Sequence, residues 1–244
     1  MTDSGTAAIV TGAASGIGRA LVNRLSDSFD VVACLDVAEA VHEVADGADG
    51  AIGYRTDVSD HEEVRSVVDA VEERAETTAV VNNAAVSRYQ WIGDLEPDEW
   101  QRILDVNLTG QYNVVHAVAT RMYERERGTI VNVSSGAGKF GSASAGVHYS
   151  ASKAGVFGLT RGLAKQLAPH VTVNCVVPGL IDTPLATDSD LWTEEELRSY
   201  VEDLPLERLG DPDEVARVIE FLCSDGASYM TGSIVDVDGG AALV

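Results

Sequence analysis

The chain has 244 residues, 45% hydrophobic and 23% charged, a length and composition that fit one soluble domain with a large buried core. Its 39 Asp and Glu outnumber 17 Lys and Arg for a formal net charge of −22, which repels phosphate backbones and acidic partners and argues against nucleic-acid binding. No run approaches the ~18 consecutive apolar residues of a membrane span, and residues 1–6 carry no Lys or Arg for a signal-peptide start, so no membrane association is expected and the expected compartment is the cytoplasm.

The predicted elements follow in chain order. Runs rich in Val and Ile fall at 7–10, 31–35, 51–54 (the weakest), 79–81, 129–133, 171–177 and 234–237. Continuous apolar runs of this length read as strands buried on both faces, hence parallel. Between them, 16–26 places Ile17, Leu21 and Leu25 at helical spacing. The segment 59–74 opens with Ser59 and Glu62, read as a capping box, and sets Val64, Val67, Val68 and Val71 on one face. Further helices are expected at 98–121, 149–167, 193–204 (Thr193 with Glu196, a second capping box) and 212–222. Strand–helix alternation implies right-handed crossovers, so the expected fold is α/β: a single domain over 1–244, with a doubly wound parallel sheet of about seven strands and helices on both faces. Such sheets bind ligands beyond the carboxyl ends of their strands.

Two classes of residue offer little chemistry. Cys34, Cys175 and Cys223 are isolated and read as small buried hydrophobes. His42, His61, His116, His148 and His170 show no metal-ligand spacing, so no metal is expected. Only Lys139, Lys153 and Lys165 are lysines, and an acidic, Lys-poor surface suits a salt-rich cytosol, where a Debye length of ~3 Å at 1 M screens self-repulsion. A salt-adapted source is the expectation.

The first strand runs into Thr11-Gly12-Ala13-Ala14-Ser15-Gly16-Ile17-Gly18 and then into a helix. Glycines there let the backbone approach a pyrophosphate, and a helix N-terminus offers free N–H groups; Gly12, Ser15, Gly16, Ile17 and Gly18 are the candidate cradle. The second strand ends at Asp36, whose carboxylate can accept from a ribose 2′-OH and would repel a 2′-phosphate. Neither Ser15 nor Val37 offers a cation to offset it, so NAD is the expected cofactor.

Tyr149 and Lys153, four apart, share one helix face. A free phenol has a pKa of ~10, and an ammonium about 4 Å away at an effective dielectric near 20 is worth roughly 4 kcal/mol, enough to bring the tyrosine toward neutral pH for acid–base work. Ser134-Ser135 ends one strand, Asn82-Asn83-Ala84-Ala85 follows another, Pro178-Gly179 a third, and Asn107 lies in a helical pattern. Each reads alone as a cap or turn; their joint placement points to a site.

These motifs, T-G-x-x-x-G-x-G at 11–18, N-N-A-x at 82–85, Asn107, Ser135, Y-x-x-x-K at 149–153 and P-G at 178–179, resemble the short-chain dehydrogenase/reductase family over essentially the whole chain. The resemblance implies a Rossmann fold and a catalytic tetrad of Asn107, Ser135, Tyr149 and Lys153. It implies that Asp57 and Val58 hold the adenine, that Ile181 and Thr183 hold the nicotinamide amide, and that Asn83, Ala84, Pro178 and Gly179 line the cofactor cleft. The family usually has Gly where Ala85 stands. The interval from Ser135 to Tyr149 is one residue longer than in its commonest members, so Ser134 stays as an alternative catalytic serine.

The expected function is hydride transfer between NAD and a secondary alcohol or ketone of a small polar substrate, such as a sugar, polyol or hydroxy acid. In this reading Tyr149 moves the proton, Ser135 holds the substrate oxygen, Lys153 lowers the tyrosine and holds the ribose, and Asn107 anchors a water. The alternatives are a 3-oxoacyl thioester reductase (carrier-protein or coenzyme A) and, in another class, a non-catalytic dinucleotide sensor. A lid is expected over about 183–205, and the resemblance implies a homotetramer packed through 98–121 and 149–167. Ala151, Ala154, Gly155 and Gly158 suit either that contact or packing on the sheet.

Overall fold

A computed structural model describes residues 5–187 and 193–243. Seven strands form one sheet: β1 (Thr6–Thr11), β2 (Val31–Asp36), β3 (Ala51–Arg55), β4 (Glu76–Asn82), β5 (Gly128–Val133), β6 (Val171–Pro178) and β7 (Ile234–Val237). They are all parallel in the order β3-β2-β1-β4-β5-β6-β7. Each expected apolar run is a strand, extended by a residue or more in most cases. The chain reverses its direction of travel across the sheet between β1 and β4, and the crevice at that point lies at the strands' carboxyl ends.

The helices are α1 (Gly16–Leu25), α2 (Ala40–Asp46), α3 (His61–Glu72), α4 (Pro97–Leu104), α5 (Gly110–Glu124), α6 (Gly136–Phe140), α7 (Gly146–Leu167), α8 (Pro184–Thr187), α9 (Glu194–Asp203) and α10 (Pro212–Leu222). Successive strand residues point to opposite faces, so each face gathers its own core. Ala8, Val10, Val32 and Cys34 meet Leu21 and Val22 of α1 and Val215 and Ile219 of α10 on one side. On the other, Ala7, Ile9, Ala33 and Leu35 meet Val64 and Val68 of α3 and Val114 and Val118 of α5.

Three expectations need correction. The helix expected over 98–121 is two helices, joined by a π-helical turn at Asp105–Thr109 that holds Asn107. Residues 109–113 carry no Val, Leu, Ile or Met to mark the phase of the apolar stripe, so the shift made by one inserted residue left no periodic signal. Helix α3 is capped by Asp60 and not Ser59: the Asp60 side chain accepts from the Glu62 and Glu63 N–H groups, while the Ser59 hydroxyl donates to Asp57. Either residue is a good cap, and the Asx turn at Asp57 occupies Ser59. Helices α2, α6 and α8 were not expected; they have seven, five and four residues, too few turns for a periodic signal. The second capping box is present, with Thr193 Oγ1 accepting from Glu196 N at 3.2 Å and Glu196 Oε2 from Thr193 N at 2.8 Å. Residues 188–192 of the expected lid lie outside the described residues.

Candidate active site

At the end of β1 the chain turns through Gly12 (φ +65°) and Gly16 (φ +51°), left-handed conformations that side chains rarely adopt. A Cβ on Gly18 would stand 2.0 Å from the Gly12 carbonyl oxygen, so only glycine lets α1 come down on the loop. A Cβ on Gly16 would meet Thr183 at 2.9 Å, which places the loop against the 178–183 segment. The Ser15 side chain is exposed and makes no capping bond at α1. Thr11 Oγ1 accepts from the Asn83 and Ala84 N–H groups, both at 3.0 Å, and Asn83 Nδ2 donates to the Thr11 and Gly12 carbonyls at 3.0 and 3.1 Å. Asn83 thus straps the glycine turn to β4 as well as lining the cleft.

Asp36 stands at the β2 end, its Oδ2 accepting from Ala14 N at 3.0 Å and its Oδ1 from Ala38 N at 2.9 Å. A cavity of about 490 Å³ is lined by Gly12, Asp36, Asp57, Val58 and Ala84. Asp57 accepts from the Ser59 N–H and hydroxyl at 2.9 and 2.7 Å, and Asn113 Nδ2 holds the Val58 carbonyl at 2.9 Å. The sequence reading saw no cation near Asp36, but Arg55 is one. Its Nε donates to the Val37 carbonyl at 3.1 Å, and its guanidinium lies 3.4 Å from Glu39. Register brings it there, since Arg55 pairs with Asp36 across β2 and β3, a contact of nineteen positions that no local motif reveals.

A second cleft, of about 800 Å³, is bounded by Ser135, Tyr149 and Lys153 on one side and by Pro178, Gly179, Ile181 and Thr183 on the other, with Ile17 and Asn83 also lining it. Of the expected tetrad, three side chains therefore meet there. Ser135 caps α6, accepting from Ala137 N at 3.2 Å, and its hydroxyl reaches the phenol of Tyr149. Ser134 also borders the cleft, but it is buried and its hydroxyl donates to the Lys153 backbone carbonyl at 2.7 Å, so of the two serines Ser135 is the one whose hydroxyl is directed to the phenol. Asn107 is fully buried behind it: Oδ1 accepts from Val86 N at 2.8 Å, and Nδ2 donates to the Val86 carbonyl at 2.9 Å and to Ser152 Oγ at 3.1 Å. Its side chain pins the 86–91 loop to α7 and lines neither cavity.

The electrostatics differ from the expectation. Lys153 is 1% exposed, and its Nζ donates to the Val133 carbonyl at 3.1 Å while standing 5.7 Å from the Tyr149 ring centroid. Burial pushes the ammonium down to about 8. Burial also raises the Tyr149 phenol above its ordinary value, and the Ser135 hydrogen bond opposes that rise. The expected lowering of Tyr149 by Lys153 is thus absent in the chain by itself. Desolvation acts on both groups, and the ammonium is directed at a carbonyl rather than at the phenolic oxygen.

Two acidic side chains on the cleft wall, Glu196 and Asp238, were not singled out as site residues. Glu196 was read only as a cap, and Asp238 lies in a Gly-rich turn far along the chain. Among the described lining residues, Lys153 is the only cation. Among the described residues, no group of three or more His, Cys, Asp or Glu could hold a metal ion, and no helix is long and apolar enough to cross a membrane.

The arrangement fits a nicotinamide dinucleotide. The glycine turn approaches where a Cβ would clash, a carboxylate ends β2, and a buried ammonium lies beside a buried phenol.

Residues 12–242 match a family model described as Enoyl-(Acyl carrier protein) reductase. The chain belongs to the short-chain dehydrogenase/reductase family. As a member of that family it is an oxidoreductase acting on CH–OH or keto groups and takes a nicotinamide dinucleotide. It is 35% identical to a 3-oxoacyl-[acyl-carrier-protein] reductase of Thermotoga maritima, over 98% of each chain, and 36% identical to the reductase of the same name from Pseudomonas aeruginosa, again over 98% of each. Among solved short-chain dehydrogenase structures, a 3-oxoacyl-[acyl-carrier protein] reductase from Brucella melitensis with bound NAD superposes with a TM-score of 0.88 at 36% identity, covering 96% of this chain and 90% of that one. A Beutenbergia cavernae chain named as an NAD(P)-dependent gluconate 5-dehydrogenase, with bound NADP, gives 0.90 at 30% identity, covering 99% and 98%.

Proposed function

We propose that the chain interconverts a 3-oxoacyl thioester and its 3-hydroxyacyl counterpart, with NAD(H) as the preferred dinucleotide. The observation that carries the reading is the make-up of the larger cleft. Its walls include Tyr89, Phe140, Leu180 and Leu185, and its charged groups other than Lys153 are the carboxylates Glu196 and Asp238. Such a wall accepts a neutral acyl chain and repels a small organic acid, because a buried carboxylate needs a cation or several N–H donors. This turns the preference from the small polar substrate expected from sequence to the thioester, the substrate class in the names of the Thermotoga, Pseudomonas and Brucella relatives. The sugar-acid reading keeps one support, the gluconate-named neighbour. The NAD preference rests on Asp36, and Arg55 is its counterweight, drawn off by Glu39. The net charge of −22 weighs against docking of an acidic carrier protein.

When bound, the dinucleotide supplies or accepts the hydride. Gly12, Ser15, Gly16, Ile17 and Gly18 would hold its pyrophosphate, Asp36 its ribose, Asp57 and Val58 its adenine, and Ile181 and Thr183 its amide. The chain's own residues handle the substrate oxygen. Ser135 donates a hydrogen bond to it as charge develops, Tyr149 gives or takes its proton, and Lys153 keeps a positive charge behind the phenol. Asn107 holds the 86–91 loop against α7 so that the cleft wall keeps its place. The test is nicotinamide absorbance with acetoacetyl coenzyme A, gluconate and neutral polyols, each with NADH or NADPH in the reducing direction and NAD⁺ or NADP⁺ in the oxidising one. Thioester turnover with NADH is the expected result, and Tyr149→Phe should lower kcat by about 10²-fold or more while NADH binding, read by fluorescence, stays within a few fold. Gluconate oxidation without thioester turnover would reverse the substrate assignment.

A further inference from the structure

Beneath the cleft a polar side chain touches the proton-handling machinery without facing the substrate. Gln111 lies on α5, four residues past Asn107, and is 2% exposed. Its Nε2 donates to the Val133 carbonyl at 3.2 Å, the same oxygen that accepts from Lys153 Nζ at 3.1 Å. Val133 is the last residue of β5, one beyond the final β4–β5 pair, Asn82 with Asn132. On that side the sheet has ended, and two side chains supply the donors. A carbonyl only accepts, so the amide must present its nitrogen here; the orientation is fixed by chemistry, and Oε1, pointing elsewhere, has no hydrogen-bond partner among the described residues.

Sharing one oxygen has an electrostatic consequence. The amide occupies one lone pair and aims the positive end of its N–H dipole at the atom that steadies the ammonium. In a buried, low-dielectric place that arrangement weakens the ammonium's grip on its proton. Of the titratable groups facing Lys153, the Tyr149 phenol on α7 is held neutral by burial, and the Cys175 thiol on β6, itself pushed up to about 11, raises Lys153 against the larger effect of burial. Val133 on β5 and Gln111 on α5 carry no charge.

We propose that Gln111 is a positioning residue: acting through the Val133 carbonyl, it sets how readily Lys153 releases its proton. The proposal rests on the reading of Lys153 as part of the reaction, and its test does not depend on turnover. The chain has three lysines, so a protein labelled with ¹³C at lysine Cε gives three resonances, and the one missing from Lys153→Met belongs to Lys153. In Gln111→Met, of similar volume and without the donor, the Lys153 titration midpoint rises by about half a pH unit or more, and the alkaline fall in kcat moves up with it. Should that variant fail to fold, Gln111→Leu makes the same deletion. A midpoint that stays put or falls overturns the proposal, even if activity drops, because activity loss alone would mark a packing role. If Lys153→Met turns substrate over as the parent does, the assignment of Lys153 to the reaction falls while the titration still judges Gln111.

Discussion

Folding takes the Lys153 ammonium out of water and leaves it one hydrogen bond, to Val133. Its proton affinity drops from the ordinary 10.5 to about 8, so between those pH values the unfolded chain binds a proton that the folded chain does not. Stability therefore rises with pH across that window. Below it the buried charge costs about 3 kcal/mol. Lys153→Met should raise Tm at pH 7 and lose that advantage by pH 10, while ending turnover; differential scanning calorimetry at the two pH values reads the sign. At this scale the sequence was informative about identity and poor about surroundings. Tyr149, Lys153 and Ser135 were legible because a spacing of four and a strand end are local facts. That burial would raise the phenol while the Lys153 ammonium turns to a carbonyl, and that Arg55 would lie beside Asp36, depends on contacts between distant segments.

Elements were read best where their pattern was long. The seven strands and the helices α1, α7 and α10 follow from apolar runs, whereas α2, α6 and α8 are shorter than the window that would reveal them. The start of α3 shows how local competition decides a boundary. Ser59 and Asp60 are both good caps, and Ser59 is drawn off by Asp57. Asp60→Ala should then cost about 1 kcal/mol, whereas Ser59→Ala leaves both capping bonds in place. Chemical denaturation of the two variants separates them; equal losses would mean that the Asp57 turn, not the cap, fixes the helix.

Over the whole molecule, the alternation of strands and helices was enough for the fold class, about seven parallel strands and a site at their carboxyl ends, but not for the strand order. Nor did it reach the outer surface. Ala151, Ala154 and Gly158 face outward on α7, so packing on the sheet does not explain them. If they seat a neighbouring copy, as the family resemblance implies, light scattering gives a tetramer and Gly158→Arg breaks it into smaller species. A net charge of −22 should also make Tm climb between 0.1 and 1 M NaCl, as the Debye length falls from ~10 to ~3 Å; a flat response would argue against salt adaptation. The π-helical turn at Asp105–Thr109 bears on how this architecture can change by insertion and deletion. Such a turn holds one residue more than the α-helix it interrupts. Removing a single residue there would rotate everything after it by ~100° about the helix axis, carrying Val114, Val118 and Met122 off the sheet and Gln111 off Val133. The loops at the cleft mouth can gain or lose residues within their own length, but this stretch is a register shared by the core and the site, and lineages of the chain should keep its length fixed even where its residues vary.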